Sequence, residues 1–151
     1  MIQFKKIACI LLLLMVSLDC VNAESVKLIS GLNLTPDGAQ VIFSWRGDVW
    51  SGPIDGGRIT RLTAHAGTEG YPCVSNDGKS IAFTSNRTGA AQTYTMSIDG
   101  GQPKQLTFHS EGTRPIAFSG DNQTLFVTGR RDHWFIWDSR YFTISATTPQ
   151  S

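Results

Sequence analysis

Cysteine is scarce, clustered charge is absent, and no apolar run is long enough to cross a bilayer. The sequence holds three cysteines, Cys9, Cys20 and Cys73. The first two lie in the leader described below, so the remaining chain has one thiol and no internal disulfide, although export would permit one. A lone cysteine in an apolar stretch reads as a small buried hydrophobe rather than a nucleophile. Basic residues do not cluster: the only tight pair beyond the leader, Arg130-Arg131, is followed at once by Asp132. Phosphate neutralisation needs such clusters, so a nucleic-acid partner is excluded. No segment beyond the leader keeps a helical period, and Gly and Pro recur too often for long helices.

The leader itself is clear. Lys5 and Lys6 precede an unbroken apolar run from Ile7 to Val16, below the roughly 17–25 residues of a spanning helix. Val21-Asn22-Ala23 supplies the small residues of a signal-peptidase site, which predicts cleavage between Ala23 and Glu24, a signal peptide over 1–23 and no stable membrane insertion. Cys20 is not read as a lipidated cysteine, because Asp19 stands where a small residue belongs. Removing Lys5, Lys6 and Asp19 lowers 13 basic and 12 acidic side chains to 11 of each, so the exported chain is formally neutral. A periplasmic or secreted location follows.

What is present is a repeat. Thr35-Pro36-Asp37-Gly38 followed by Val41-Ile42-Phe43 returns as Ser75-Asn76-Asp77-Gly78 with Ile81-Ala82-Phe83, and again as Ser119-Gly120-Asp121-Asn122 with Leu125-Phe126-Val127. The offsets are 40 and 44 residues. A second block follows at the same step: Asp55-Gly56-Gly57 matches Asp99-Gly100-Gly101, and Arg61-Leu62-Thr63-Ala64-His65 matches Gln105-Leu106-Thr107-Phe108-His109. Pro36 presets φ, Asp37 and Asp77 bond their own backbone, and Gly38 and Gly78 supply positive φ, the chemistry of a tight hairpin. The Asp-Gly-Gly blocks supply the next hairpin. The second strands are apolar at consecutive positions, so both faces need covering by neighbouring sheets.

An all-β fold follows: a partial β-propeller of about two and a half four-stranded blades. The blades are expected over about 25–64, 65–107 and 111–151. Strands are predicted near Val26–Leu34, Gln40–Trp45, Asp48–Pro53 and Arg58–Thr63 in the first, with Arg140–Ser145 as the third strand of the last. The loop from Asn86 to Ala91 is longer than Trp45-Arg46-Gly47, and this explains the drift from 40 to 44. The sequence stops where the third Gly-Gly turn is due. An unfinished ring exposes blade edges, which predicts self-association.

The pattern resembles the propellers of the TolB and tricorn-protease families, over almost all of the exported chain. Phe43-Ser44-Trp45-Arg46-Gly47-Asp48-Val49-Trp50 and Gly129-Arg130-Arg131-Asp132-His133 draw it toward the tricorn side. That resemblance implies a non-catalytic propeller that binds or guides peptides ahead of a serine-protease domain. The alternatives are a TolB-like periplasmic scaffold recruiting an outer-membrane lipoprotein, or a truncated product with no function of its own. Asn76 replaces the motif's Pro, Cys73 and Val74 stand where an aromatic is usual, and Gly120 and Asn122 predict a weaker third turn.

No catalytic, metal or cofactor site is assigned. His65 and His109 occupy equivalent repeat positions, and a zinc site wants three or four converging ligands. His133 beside Asp132 does not make a triad, because neighbours in sequence point apart, and no Gly-x-Ser-x-Gly elbow occurs. Arg46-Gly47-Asp48 reads as a turn, not an adhesion motif. The sequons at Asn33, Asn86 and Asn122 matter only in a glycosylating host. Trp45, Trp50, Tyr71 and Tyr94 are read as blade-packing aromatics, whereas Trp134, Phe135 and Trp137 form an apolar contact patch if exposed.

Overall fold

A computed structural model describes residues 29–130 and 140–149. The signal peptide with its Ala23-Glu24 cleavage point, Val26–Leu28, and the patch of Trp134, Phe135 and Trp137 with Asp132 and His133 lie outside the described residues.

Among the described residues eleven strands form three antiparallel sheets, and within each sheet every strand pairs with its neighbour in sequence. The first sheet holds β1 (Ser30–Leu34), β2 (Gln40–Trp45), β3 (Asp48–Pro53) and β4 (Thr60–Arg61). The second holds β5 (Glu69–Val74), β6 (Ser80–Ser85), β7 (Gln92–Ser97) and β8 (Lys104–Gln105). The third holds β9 (Thr113–Phe118), β10 (Thr124–Gly129) and β11 (Arg140–Ser145). The first strand of each sheet packs on the first strand of the next, β1 on β5 and β5 on β9. This is blade stacking about a common axis: the sheets are blades of a β-propeller whose ring does not close within the described residues.

The consecutive apolar residues of the second strands are explained by which sheet each one meets. Ile42 and Val49 of the first sheet pack with Ile81, Phe83, Tyr94 and Met96 of the second. From the other face of the second sheet, Cys73 and Ala82, joined by Leu106, pack with Phe118, Leu125, Val127 and Ile144 of the third. Ile81 and Phe83 therefore face backward and Ala82 forward, and all three are fully buried. Each large side chain so buried contributes about 1.5–3 kcal/mol. The third sheet departs from this pattern. Phe126, the forward-facing counterpart of Ala82, is 44% exposed, because among the described residues no further sheet covers it.

The fourth strand of the first sheet, Thr60–Arg61, is shorter than the expected Arg58–Thr63, and beyond Arg61 the chain converges on Val49 through backbone and side-chain bonds. The N–H of Leu62 donates to the carbonyl of Val49 at 2.8 Å, and the N–H of Val49 donates to Oγ1 of Thr63 at 2.9 Å. Leu106, Thr93 and Thr107 repeat both bonds at 2.8 and 2.9 Å. The Leu-Thr motif is thus a core residue followed by a hydroxyl that caps a strand.

The three first turns share one network. The hydroxyls of Thr35, Ser75 and Ser119 each donate to Oδ1 of Asp37, Asp77 and Asp121 at 2.6 Å. The same oxygens accept the N–H of Ala39, Lys79 and Gln123 at 3.0, 3.1 and 3.0 Å. The third turn is not weaker in geometry: Asn122 takes φ 60°, beside 71° at Gly38 and 69° at Gly78. Asparagine tolerates this left-handed region better than other non-glycine residues.

Candidate binding site

The sheets have two ends. One carries the turns of Pro36-Asp37-Gly38 and Asp77-Gly78, with Asp55-Gly56-Gly57 and Asp99-Gly100-Gly101 beside them in the β3–β4 and β7–β8 connections. Exposed Asp37, Asp77 and Asp121 there have carboxyls held below their usual range, first by the neighbouring hydroxyl and then by the backbone N–H two residues on. Oδ1 of each of these aspartates is engaged within its own turn, so this end is read as a scaffold rather than a site.

The opposite end is shaped by bulges. In each sheet the first strand carries an irregularity against the second, between Ser30 and Asn33, between Gly70 and Cys73, and opposite Phe126 and Val127. A bulge places two residues against one and re-aims the side chain. Gly31 adopts φ 60° in the first sheet, and its counterpart in the second is Tyr71 at φ 51°. A bulky residue there is a strained outlier. Tyr71 is half exposed rather than packed in a blade, which corrects its reading as a packing aromatic. The Arg114 guanidinium of β9 lies 4.3 Å from its ring centroid.

Tyr71 separates two open grooves. One, about 520 Å³, runs between the second and third sheets past Thr84, Glu111, Arg114, Thr128 and Tyr141. The other, about 280 Å³, lies between the first and second sheets and is lined by Ser44, Trp45, Arg46, Glu69 and Gly70. Ser44, Thr84 and Thr128 are the same repeat position, and the hydroxyls of Ser44 and Thr84 are buried without hydrogen-bond partners. Glu69 is buried; its Oε1 accepts from Arg87 and from the hydroxyl of Ser85, while Oε2 has no partner. Arg87 also lies 4.9 Å from the Tyr94 ring centroid.

The other residues singled out in the sequence have structural partners. Nδ1 of His65 accepts the N–H of Gly67 at 2.9 Å, and His109 meets Phe142 edge to face at 6.2 Å. Among the described residues no three His, Cys, Asp or Glu side chains gather to hold a metal. Arg46 and Gly47 form the β2–β3 turn at φ 55° and 84°, and Asp48 is buried with Oδ2 2.7 Å from Arg61 and Oδ1 without a partner, so the Arg-Gly-Asp sequence presents no exposed carboxylate. Oδ1 of Asn86 accepts the N–H of Thr68 at 2.6 Å, and the Asn33 amide donates to the Pro72 carbonyl at 3.2 Å. Burial pushes the Cys73 thiol up to about 12. Among the described residues no helix is long and apolar enough to cross a membrane.

Sequence reasoning passed over Glu69, Arg87 and Arg114. A signal for the site existed at Tyr71: at the 40-residue offset it stands where the first repeat has Gly31.

Relatives agree with this architecture. Tricorn protease homolog 1 of Streptomyces coelicolor is 40% identical over 94 residues, which is 62% of this chain and 9% of the relative. The crystal structure of TolB from Acinetobacter baumannii superimposes with a TM-score of 0.70 at 21% identity, over 82% of this chain and 31% of that one. The crystal structure of the tricorn protease gives 0.61 at 13% identity, over 82% and 14%. These two likenesses establish the fold alone, and the chain spans less than a third of either structure. Residues 34–151 match the family described as the tricorn protease N-terminal beta propeller domain, and the chain belongs to that family.

Proposed function

We propose that this chain is a non-catalytic binding module, working in the periplasm or outside the cell, that receives an extended peptide across the bulged ends of its first strands. The observation that carries this reading is Tyr71: a half-exposed aromatic in a strained conformation, backed by Arg114 and flanked by a groove on either side. Strain of this kind costs about 1–3 kcal/mol and clusters at ligand clamps. A ring presented this way gives a peptide apolar area at little entropic cost, and the unpartnered hydroxyls of Ser44 and Thr84 offer acceptors to its backbone. Family membership supports a propeller that handles peptides without performing the chemistry.

Fluorescence anisotropy with a fluorescein-labelled pool of nonapeptides, random at interior positions, tests it. The variant Tyr71→Gly copies the first repeat, relieves the positive φ and removes the ring. Binding to the unaltered chain and a loss of about tenfold or more in the variant are expected. Unchanged affinity rules the reading out.

A second reading, self-association, is favoured by the open forward face of the third sheet, where Phe126 is 44% exposed. The two equivalent faces are each covered by the next sheet, so a second copy of the chain is the fitting occupant. Sedimentation velocity should show a concentration-dependent dimer or larger species that Phe126→Lys disperses. A monomer at all concentrations contradicts it.

A further inference from the structure

We infer that the groove between the first and second sheets is a pocket for a primary ammonium group; its assignment to a peptide rests on the function proposed above. The two walls contribute one acceptor each. Ser44, on the forward face of β2, and Glu69, on the backward-facing side of β5, line the same groove on either side of the interface. A Cβ placed on Gly70 would lie 3.8 Å from the Ser44 hydroxyl. Ser44 Oγ and Glu69 Oε2 are both buried without a hydrogen-bond partner, and both residues line the groove. The Glu69 side chain is 0% exposed. Unmade hydrogen bonds on buried groups are costly, more so on a carboxylate.

The neighbouring interface shows that the fold does not require this arrangement. There the counterpart of Glu69 is Thr113, whose hydroxyl is bonded to those of Thr93 and Thr107 at 2.8 and 2.6 Å and accepts the Thr93 N–H at 3.1 Å. That wall is closed by its own partners. The Thr84 hydroxyl of that interface is unpartnered like that of Ser44, but among the described residues the buried, partnerless carboxylate oxygen facing a neighbouring sheet is that of Glu69.

The chemistry selects the ligand. The Glu69 carboxylate oxygen only accepts and the Ser44 hydroxyl accepts or donates, so an entering group rich in donors can satisfy both. A carboxylate or phosphate brings only acceptors. An ammonium has three N–H donors, no acceptor and a compact head, in keeping with a groove of about 280 Å³. Two cations border the site. The Arg87 guanidinium is engaged by Oε1 and by the rings of Phe83 and Tyr94. Arg46 lies at the rim, 4.7 Å from the Trp45 ring centroid, where it meets the carbonyl or carboxyl groups that accompany an amine in a peptide. The ammonium comes from a peptide N-terminus or from a lysine side chain.

The test is a ¹H–¹⁵N NMR titration of the whole chain with propylammonium chloride, against sodium chloride at equal ionic strength. Saturable shifts of the Ser44, Glu69 and Gly70 amides are expected with the amine alone. Glu69→Gln, which keeps an oxygen for Arg87 and turns an N–H₂ toward the groove, should abolish them. Ser44→Ala breaks no hydrogen bond of the fold and should weaken binding about tenfold. Two peptides then separate the sources: pentaalanine with a free N-terminus, and an N-acetylated pentaalanine with a central lysine. The one that moves the same amides identifies the source, and if neither does the peptide assignment falls. No saturable shift with propylammonium, or equal shifts in both variants, overturns the pocket. If Tyr71→Gly leaves peptide binding intact while propylammonium still saturates, the peptide reading fails at Tyr71 and the pocket stands.

Discussion

The backbone N–H of Asn76 donates to Oδ1 of Asn122 at 2.7 Å, and the Asn76 amide donates to the carbonyl of Ser119 at 2.8 Å. Two residues that depart from the repeat's turn motif thus bind each other and tie the second blade's first turn to the third's. Asn122→Gly keeps a residue at ease with φ 60° and loses only the bridge, about 0.5–1.5 kcal/mol. Asn122→Ala loses the bridge and adds left-handed strain, about 1–2 kcal/mol more. Urea unfolding should rank the wild type above Asn122→Gly and that above Asn122→Ala. Asn76→Ala keeps the backbone N–H, so a double-mutant cycle with it reads only the 3.2 Å contact between the two side-chain amides, and additive effects would deny that contact a role.

Thr63 and Thr107 occupy one repeat position with unequal surroundings. The Thr63 hydroxyl accepts one N–H, from Val49. The Thr107 hydroxyl accepts the N–H of Thr93, donates to Oε1 of Gln92 at 2.8 Å and meets Thr113. Thr63→Val leaves the buried Val49 N–H without its hydroxyl acceptor, about 1–3 kcal/mol. In Thr107→Val the Thr93 N–H and hydroxyl keep the Thr113 hydroxyl at 3.1 and 2.8 Å and Gln92 Oε1 keeps the His109 N–H at 3.0 Å, so its loss in urea unfolding should be smaller than that of Thr63→Val. Equal losses would mean that the Thr113 hydroxyl does not stand in for that of Thr107.

These contrasts also mark what was legible in the sequence. The hairpins were, because Asp-Gly and Asp-Gly-Gly impose backbone conformations within four residues and recur at a fixed step. Burial of both strand faces followed from Ile81-Ala82-Phe83 needing a neighbour on each side. The grooves were not, because they depend on which sheet meets which. Glu69 sits in an unremarkable Thr-Glu-Gly-Tyr stretch and is significant only opposite Ser44. Arg114 finds Tyr71 across 43 residues of sequence. The fourth strand of the first sheet was drawn too long for a related reason: Leu62 and Thr63 continue an apolar-polar alternation while their backbone turns to Val49.

Asp37, Asp77 and Asp121 make stability depend on acid pH. Each carboxyl is held below its unfolded value, so the stabilisation is present above about pH 4 and is lost as pH falls through the folded value. Melting temperature should decline below about pH 4. In the triple variant Asp37→Asn, Asp77→Asn, Asp121→Asn that decline should be shallower. An equal slope would place the acid sensitivity elsewhere.

Cys73 is 4% exposed and packs with Ala82, Leu125 and Val127 in the core between the second and third sheets. Burial raises its thiol to about 12, so at pH 8 almost none is thiolate, the form that reacts. The unfolded thiol titrates near about 8.5. Iodoacetamide at pH 8, followed by peptide mapping, should therefore label Cys73 at least about tenfold more slowly in the folded chain than in urea. Cys73→Ser should cost about 1–3 kcal/mol by placing a hydroxyl in that core, and Cys73→Ala less, since it removes volume without adding a polar group. Rapid labelling in native buffer would show that the second and third sheets separate in solution, and with them the groove beside Tyr71.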